Sequence, residues 1–136
     1  GCAQLKKLSY FIEKKRKIGN YYSKELKEIP ALQLPVLSNK FSKNIFWVYS
    51  LIIKNKNFKA IELSKILKKK GIETRPFFYP MHMQPVIKKL KLINKNEKFP
   101  VSEQIYKYGL YLPSGIGNTF KEIKEVIKQL KKIFKN

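Results

Sequence analysis

A chain of 136 residues has the length of a single domain, and its 43% apolar content is enough for a buried core, which excludes a disordered tail. Its net charge of +21 points to polyanions, yet 28 of the 30 basic residues are lysines, beside only two arginines. The arginine fork that groove-reading proteins favour is therefore scarce, and the lysines lie along polar helix faces, so the charge reads as solvated surface with no specific nucleic-acid partner.

The single cysteine, Cys2, excludes an internal disulfide and offers no metal-ligand pair; no metal site is expected. No apolar run reaches the ~18 residues of a membrane span. The expected setting is the cytoplasm, with no membrane partner. Gly1 stands where an initiator methionine would, and residues 2–5 already run in helical periodicity, so a piece of a longer chain is expected.

Leu5, Leu8, Phe11, Ile12, Ile18, Tyr22 and Leu26 recur at helical steps and predict one long amphipathic helix over residues 4–27, closed by Ile29-Pro30. Residues 31–37 read as extended and proline-broken, and 38–44 as a polar loop. The run IFWVYSLII (45–53) is β-branched and aromatic without alternation, which predicts a strand covered on both faces. Asn57 is the expected cap of a helix to Lys70 that buries Ile61, Leu63, Ile66 and Leu67, with Gly71 as its terminator. A second strand is predicted over 72–78, a turn-rich loop over 80–85, a short helix over 86–92 and a polar loop over 94–98. A helix from Pro100 to Gly109 precedes a third short strand, 110–113. Gly115-Ile116-Gly117-Asn118 reads as a turn. Thr119 caps a final helix with Phe120, Ile123, Ile127, Leu130 and Phe134 on one face. The expected fold class is α/β, or a small α+β domain: a long helix and a short three-stranded sheet covered by helices. Residues 1–29 are expected to link from another domain, and 30–136 to form the small domain itself.

Catalytic signatures are largely missing. No phosphate-binding glycine motif and no CxxC are present, and without a single aspartate a Ser-His-Asp set is impossible. One segment has the character of a site: GIETRPFFYPMHMQP, residues 71–85. It holds one of the two arginines, the only histidine, both methionines and three of the seven prolines. Arg75, the Tyr79 hydroxyl and His82 in a proline-stiffened loop, with Phe77 and Phe78 as apolar walls, suit an oxygen-rich or anionic small ligand.

That segment closely resembles one near the C-terminus of the DegT/DnrJ/EryC1/StrS aminotransferases, pyridoxal-phosphate enzymes that aminate nucleotide-linked keto sugars. Gly1-Cys2-Ala3-Gln4-Leu5, Arg16, Tyr21-Tyr22, the strand from Ile45 to Ser50, Phe99-Pro100 and Leu110-Tyr111-Leu112-Pro113-Ser114-Gly115 are similar to the family in the same order. The resemblance implies the C-terminal part of a fold-type-I aminotransferase, usually a homodimer. Its cofactor, pyridoxal 5'-phosphate, would be held mainly by an upstream domain carrying the Schiff-base lysine, so no lysine here is assigned to catalysis. The amino donor would be glutamate and the acceptor a nucleotide-linked keto sugar, for surface polysaccharide synthesis. Trp47, ETRPFFYPMH and GLYLPSG look most like the perosamine-synthase branch, which acts on GDP-4-keto-6-deoxymannose. By motif position Arg75, Tyr79 and His82 face substrate or cofactor, with Phe77 and Phe78 as walls. Two other readings compete: a basic module binding nucleic acid or an anionic surface, and a catalytically inactive truncated relative.

Overall fold

The computed structural model describes residues 1–94 and 97–134. Two helices open it, α1 (Cys2–Leu5) and α2 (Leu8–Leu26), followed by strand β1 (Leu32–Gln33) and strand β2 (Tyr49–Ile53). Helix α3 (Ala60–Lys68) leads to strand β3 (Arg75–Pro76), a 3-10 turn (Met81–Met83) and the short helix α4 (Pro85–Lys89). Helix α5 (Pro100–Tyr108), strand β4 (Gly109–Leu112) and helix α6 (Phe120–Phe134) complete the chain. Lys95 and Asn96, within the expected polar loop, lie outside the described residues.

The sheet is antiparallel, in the order β1-β2-β4-β3, and has four strands where three were expected. The extra strand comes from the segment read as extended: Leu32 pairs with Ile53 and the Lys54 N–H donates to the Ala31 carbonyl at 2.8 Å. Two residues are too few to show an alternating pattern, so pairing alone reveals such a strand.

Side chains alternate across a strand, so the register sorts the sheet into two faces. Tyr49 lies opposite Leu112 and Leu51 opposite Leu110, all four buried. With Ile53 they join Ile18, Tyr22 and Leu26 of α2, Ala60, Leu63 and Leu67 of α3, and Ile123, Val126, Ile127 and Leu130 of α6 in one core. The opposite face carries the row Ser50, Tyr111 and Arg75. The burial of β2 therefore alternates, which corrects the expectation of a strand covered on both faces.

Residues 45–48 are not strand at all. Asn44 accepts the Phe46 N–H at 2.7 Å, and Phe46 adopts a left-handed φ of 52°. Its ring then plugs the space over Gly19, where a Cβ would lie 2.2 Å from the ring. Burial of a whole phenyl ring offsets the backbone strain of this conformation. Trp47 is consequently thrown outward, 67% exposed.

The expected long first helix is interrupted at Lys6 and Lys7, and only its second half is sealed: Ile18, Tyr22 and Leu26 are buried, whereas Leu5 and Leu8 are exposed. Helix α3 begins after Lys59, not at Asn57. Glu62 accepts the Lys59 N–H at 2.7 Å and supplies the acidic charge in the first turn, while the Asn57 N–H is taken by the Asn55 side chain. Ile61, expected inside, is exposed, and Ile66 is partly buried. Gly71 ends the helix segment at φ 74°, with the Ile72 N–H reaching back to the Leu67 carbonyl. The last helix starts as its sequence predicts. Thr119 Oγ1 accepts the Glu122 N–H, and the Glu122 carboxylate accepts the Thr119 N–H at 2.7 Å.

Candidate functional site

The segment 71–85 leaves the core at Ile72 and reaches the sheet edge as β3, a strand of two residues rather than the seven expected. Pro76 has no N–H to extend the ladder, so pairing stops there. Arg75 lies beside Tyr111 on the open face and is exposed; among the described residues it forms no ion pair.

Phe77 then lays its ring over Gly109, where a Cβ would sit 2.3 Å from the ring, and packs on Tyr111 with centroids 4.4 Å apart. Glycine is required at 109 by this close approach. Phe78 is 73% exposed and lies nearly parallel to Trp47, centroids 6.5 Å apart and planes at 16°. Phe77 and Phe78, together with Tyr111, Ile105 and Val101, line a largely apolar groove of about 530 Å³ against the start of α5.

Arg75 opens instead onto a neighbouring groove of about 310 Å³, shared with Trp47, Tyr111, Lys15 and Glu73. Lys15 donates to the Ser114 carbonyl at 2.6 Å, and partial burial lowers its pKa. Burial likewise raises the pKa of the Tyr111 phenol, which borders both grooves. The arrangement suits a ligand with a planar or apolar part and an anionic part, met by aromatic faces and two cations.

Tyr79 and His82 do not line either of these grooves. Tyr79 meets Tyr106 edge-on, with centroids 5.1 Å apart. His82 stacks on Phe99 at 4.6 Å and bonds through Nε2 to Glu103 Oε1 at 2.9 Å. It borders a separate recess of about 450 Å³ with Lys88, Lys91 and Glu97. Of the five predicted residues, the structure thus gathers Phe77 and Phe78 in one groove, sets Arg75 in the next and docks Tyr79 and His82 against α5.

Sequence reasoning missed Tyr111, Lys15 and Glu103 here. The alternation in Leu110-Tyr111-Leu112 placed Tyr111 on the face opposite the two leucines and was available as a signal; nothing in the sequence marked Lys15 among 28 lysines. A further cavity of about 640 Å³ is remote from the segment and lined by four lysines, Glu25, Tyr21 and Ile127 between α2 and α6. One of those lysines, Lys131, is already bound to Glu25 at 2.8 Å. Among the described residues no cluster of histidine, cysteine or acidic groups could hold a metal ion, and no helix is long and apolar enough to cross a membrane.

An antiparallel sheet with one face sealed by helices and the other bearing exposed aromatics and an arginine without an ion pair among the described residues defines the class: a small mixed α/β domain with an open aromatic face. The chain belongs to the DegT/DnrJ/EryC1/StrS aminotransferase family, whose profile matches residues 1–131. It is 32% identical over 136 residues to the GDP-perosamine synthase of Vibrio cholerae, covering 98% of this chain and 35% of that protein. To the GDP-perosamine synthase of Escherichia coli O157:H7 it is 34% identical over 117 residues, 84% of this chain and 29% of that one. Its fold matches Helicobacter pylori PseC, an aminotransferase involved in the biosynthesis of pseudoaminic acid. That match has a TM-score of 0.85 at 20% identity, over 99% of this chain and 36% of PseC. The chain spans about a third of the length of the relatives it matches.

Proposed function

We propose that this chain is the C-terminal part of a pyridoxal-phosphate-dependent aminotransferase that moves an amino group from glutamate to a nucleotide-linked keto sugar, with GDP-4-keto-6-deoxymannose the favoured acceptor. The observation that carries this reading is the 32% identity to a GDP-perosamine synthase across nearly the whole chain. In the same reading the protein is a cytoplasmic homodimer serving surface polysaccharide synthesis. Residues 1–29 link to a preceding large domain and 30–136 form the small domain. The exposed Leu5 at the end of α1 and Leu8 at the start of α2 support that link, because these apolar side chains lack a cover within the described residues.

The residues of this chain do not by themselves form a cradle for the cofactor. There is no aspartate to meet a pyridine nitrogen. The partly buried Lys15 gives its ammonium to a backbone carbonyl. In this reading, as the family resemblance implies, the cofactor, which supplies the electron sink for amine transfer, and the lysine that anchors it belong to the preceding domain.

What this chain contributes is binding. Arg75 meets an anionic group of the substrate with its guanidinium fork, and Phe77 and Phe78 exclude water as apolar walls. Tyr79 and His82 bring hydroxyl and imidazole groups to the sugar.

The test uses the full-length protein loaded with cofactor. Its visible absorbance band should be bleached by glutamate and restored by GDP-4-keto-6-deoxymannose. No response to any amino donor would refute the reading. Restoration by a different nucleotide sugar alone would refute only the choice of acceptor. Arg75→Ala and His82→Ala should impair sugar amination more than folding, and normal turnover by both would remove these residues from the site.

A further inference from the structure

Residues 79–83 are fastened to one stripe of α5 and its entry. Tyr79 contacts Tyr106, His82 stacks on Phe99, and the same imidazole bonds to Glu103. Positions 99, 103 and 106 follow one another at four and three residues, the spacing that places side chains on one side of a helix. Pro80, buried between the two contacts, and Pro85 at the start of α4 stiffen the intervening backbone.

The His82 side chain is only 14% exposed and its plane is fixed by the Phe99 ring, 28° from parallel. A carboxylate can only accept a hydrogen bond, so the proton between Nε2 and Glu103 belongs to the imidazole. In the neutral ring the other nitrogen, Nδ1, then bears a lone pair. Among the described residues no hydrogen bond engages Nδ1. The other charged side chains around the recess are Lys88, Lys91 and Glu97, and none of them bonds to the ring.

We infer that Glu103 is a positioning residue for His82: it fixes the Nε2–H tautomer and thereby presents Nδ1 as a hydrogen-bond acceptor to a hydroxyl of the bound sugar. This rests on the proposed role of His82 in substrate binding, whereas the tautomer itself rests on the geometry alone. Sequence reading gives Glu103 no such role, since a glutamate in the first turn of a helix is accounted for by the helix dipole.

The experiment compares wild type, Glu103→Gln and Glu103→Ala in the full-length protein labelled with ¹⁵N-histidine, the His82 signals being assigned by their loss in His82→Ala. Wild type and Glu103→Gln, whose amide oxygen still accepts from Nε2, should show the Nε2–H tautomer. Glu103→Ala should admit a measurable share of the Nδ1–H form and reduce kcat/KM for the keto sugar about tenfold, with Glu103→Gln restoring it to within about threefold. In a His82→Ala background, Glu103→Ala should cost nothing further, because both changes remove one interaction. An unchanged tautomer in Glu103→Ala overturns the inference. So does a changed tautomer with unchanged kcat/KM, or a Glu103→Gln variant as impaired as the alanine. If wild type transfers no amino group at all, the proposed function fails and the substrate-positioning role fails with it; the tautomer assignment is still decided by the spectra.

Discussion

The two faces of the sheet are made by the same strands and obey opposite rules. On the inner face Tyr49, Leu51, Leu110 and Leu112 are almost wholly buried under α2 and α6, and even the phenols are accounted for. The Tyr22 hydroxyl donates to the Pro113 carbonyl at 2.8 Å, and Tyr49 exchanges a hydrogen bond with Ser23 at 3.0 Å while its ring stacks on Tyr22. On the outer face Arg75, Trp47 and Phe78 stand exposed, and large aromatic rings in water add nothing to folding. The inner face maximises satisfied burial. The outer one leaves rings and a guanidinium uncovered, as a surface that acts on something else would.

The largest expected difference between the faces is alkaline. Burial raises the Tyr49 pKa to about 12 and pushes that of Tyr22 up as well. Both phenols are held neutral in the fold, so between their ordinary range near 10 and the raised values the unfolded state sheds protons that the native state keeps. Stability should be intact below about pH 10 and fall steadily above it. The share of tyrosinate absorbance that is lost in the Tyr22→Phe and Tyr49→Phe variants should rise together with loss of the fold, and ionisation of that share well before unfolding would show that the inner face is not sealed.

Truncating the centre of the inner face comes next. Leu110→Ala should destabilise by about 2–5 kcal/mol in denaturant unfolding, since the site is closed on every side and cannot collapse. Gly109→Ala tests the seam between the faces. Its methyl would meet the Phe77 ring and the Ile105 carbonyl, so a loss of about 1–3 kcal/mol is expected, with Phe77 displaced. Thermal melting would register the first effect and a changed aromatic circular-dichroism signal the second.

The smallest stability effects belong to the outer face. Arg75→Ala and Trp47→Ala should each shift stability by no more than about 0.5 kcal/mol, while Arg75→Ala weakens ligand affinity about tenfold, near 1.4 kcal/mol. A large stability loss from either would mean that the outer face is structural, and the contrast between the faces would collapse.

Much of the scaffold was legible in the sequence because its signals are local. Thr119 with Glu122 three residues on, Pro100 at a helix start and Gly71 at a helix end each act within one turn of backbone, and each does in the structure what its chemistry predicts. The amphipathic spacing of Ile123, Ile127 and Leu130 likewise needs nothing beyond α6 to be read. Segment 71–85 stands out by composition, and Arg75, Phe77, Phe78, Tyr79 and His82 are its five candidate residues. Their separation into two grooves and a docked loop was not legible, because it depends on where β4 and α5 lie.

The sequence by itself thus determined the order of the main helices and of three of the four strands, the caps at Gly71 and Thr119, and the membership of the family. These follow from backbone preferences and from motifs contiguous in the chain. Only the tertiary structure decided that residues 45–48 leave the strand, since the cause is a space over Gly19 filled by Phe46, 27 positions away. It alone set Tyr111 beside Arg75, through antiparallel register, and aimed Glu103 at His82 across 21 residues. Register and helix packing are agreements between distant segments, and neither partner of such an agreement records it alone.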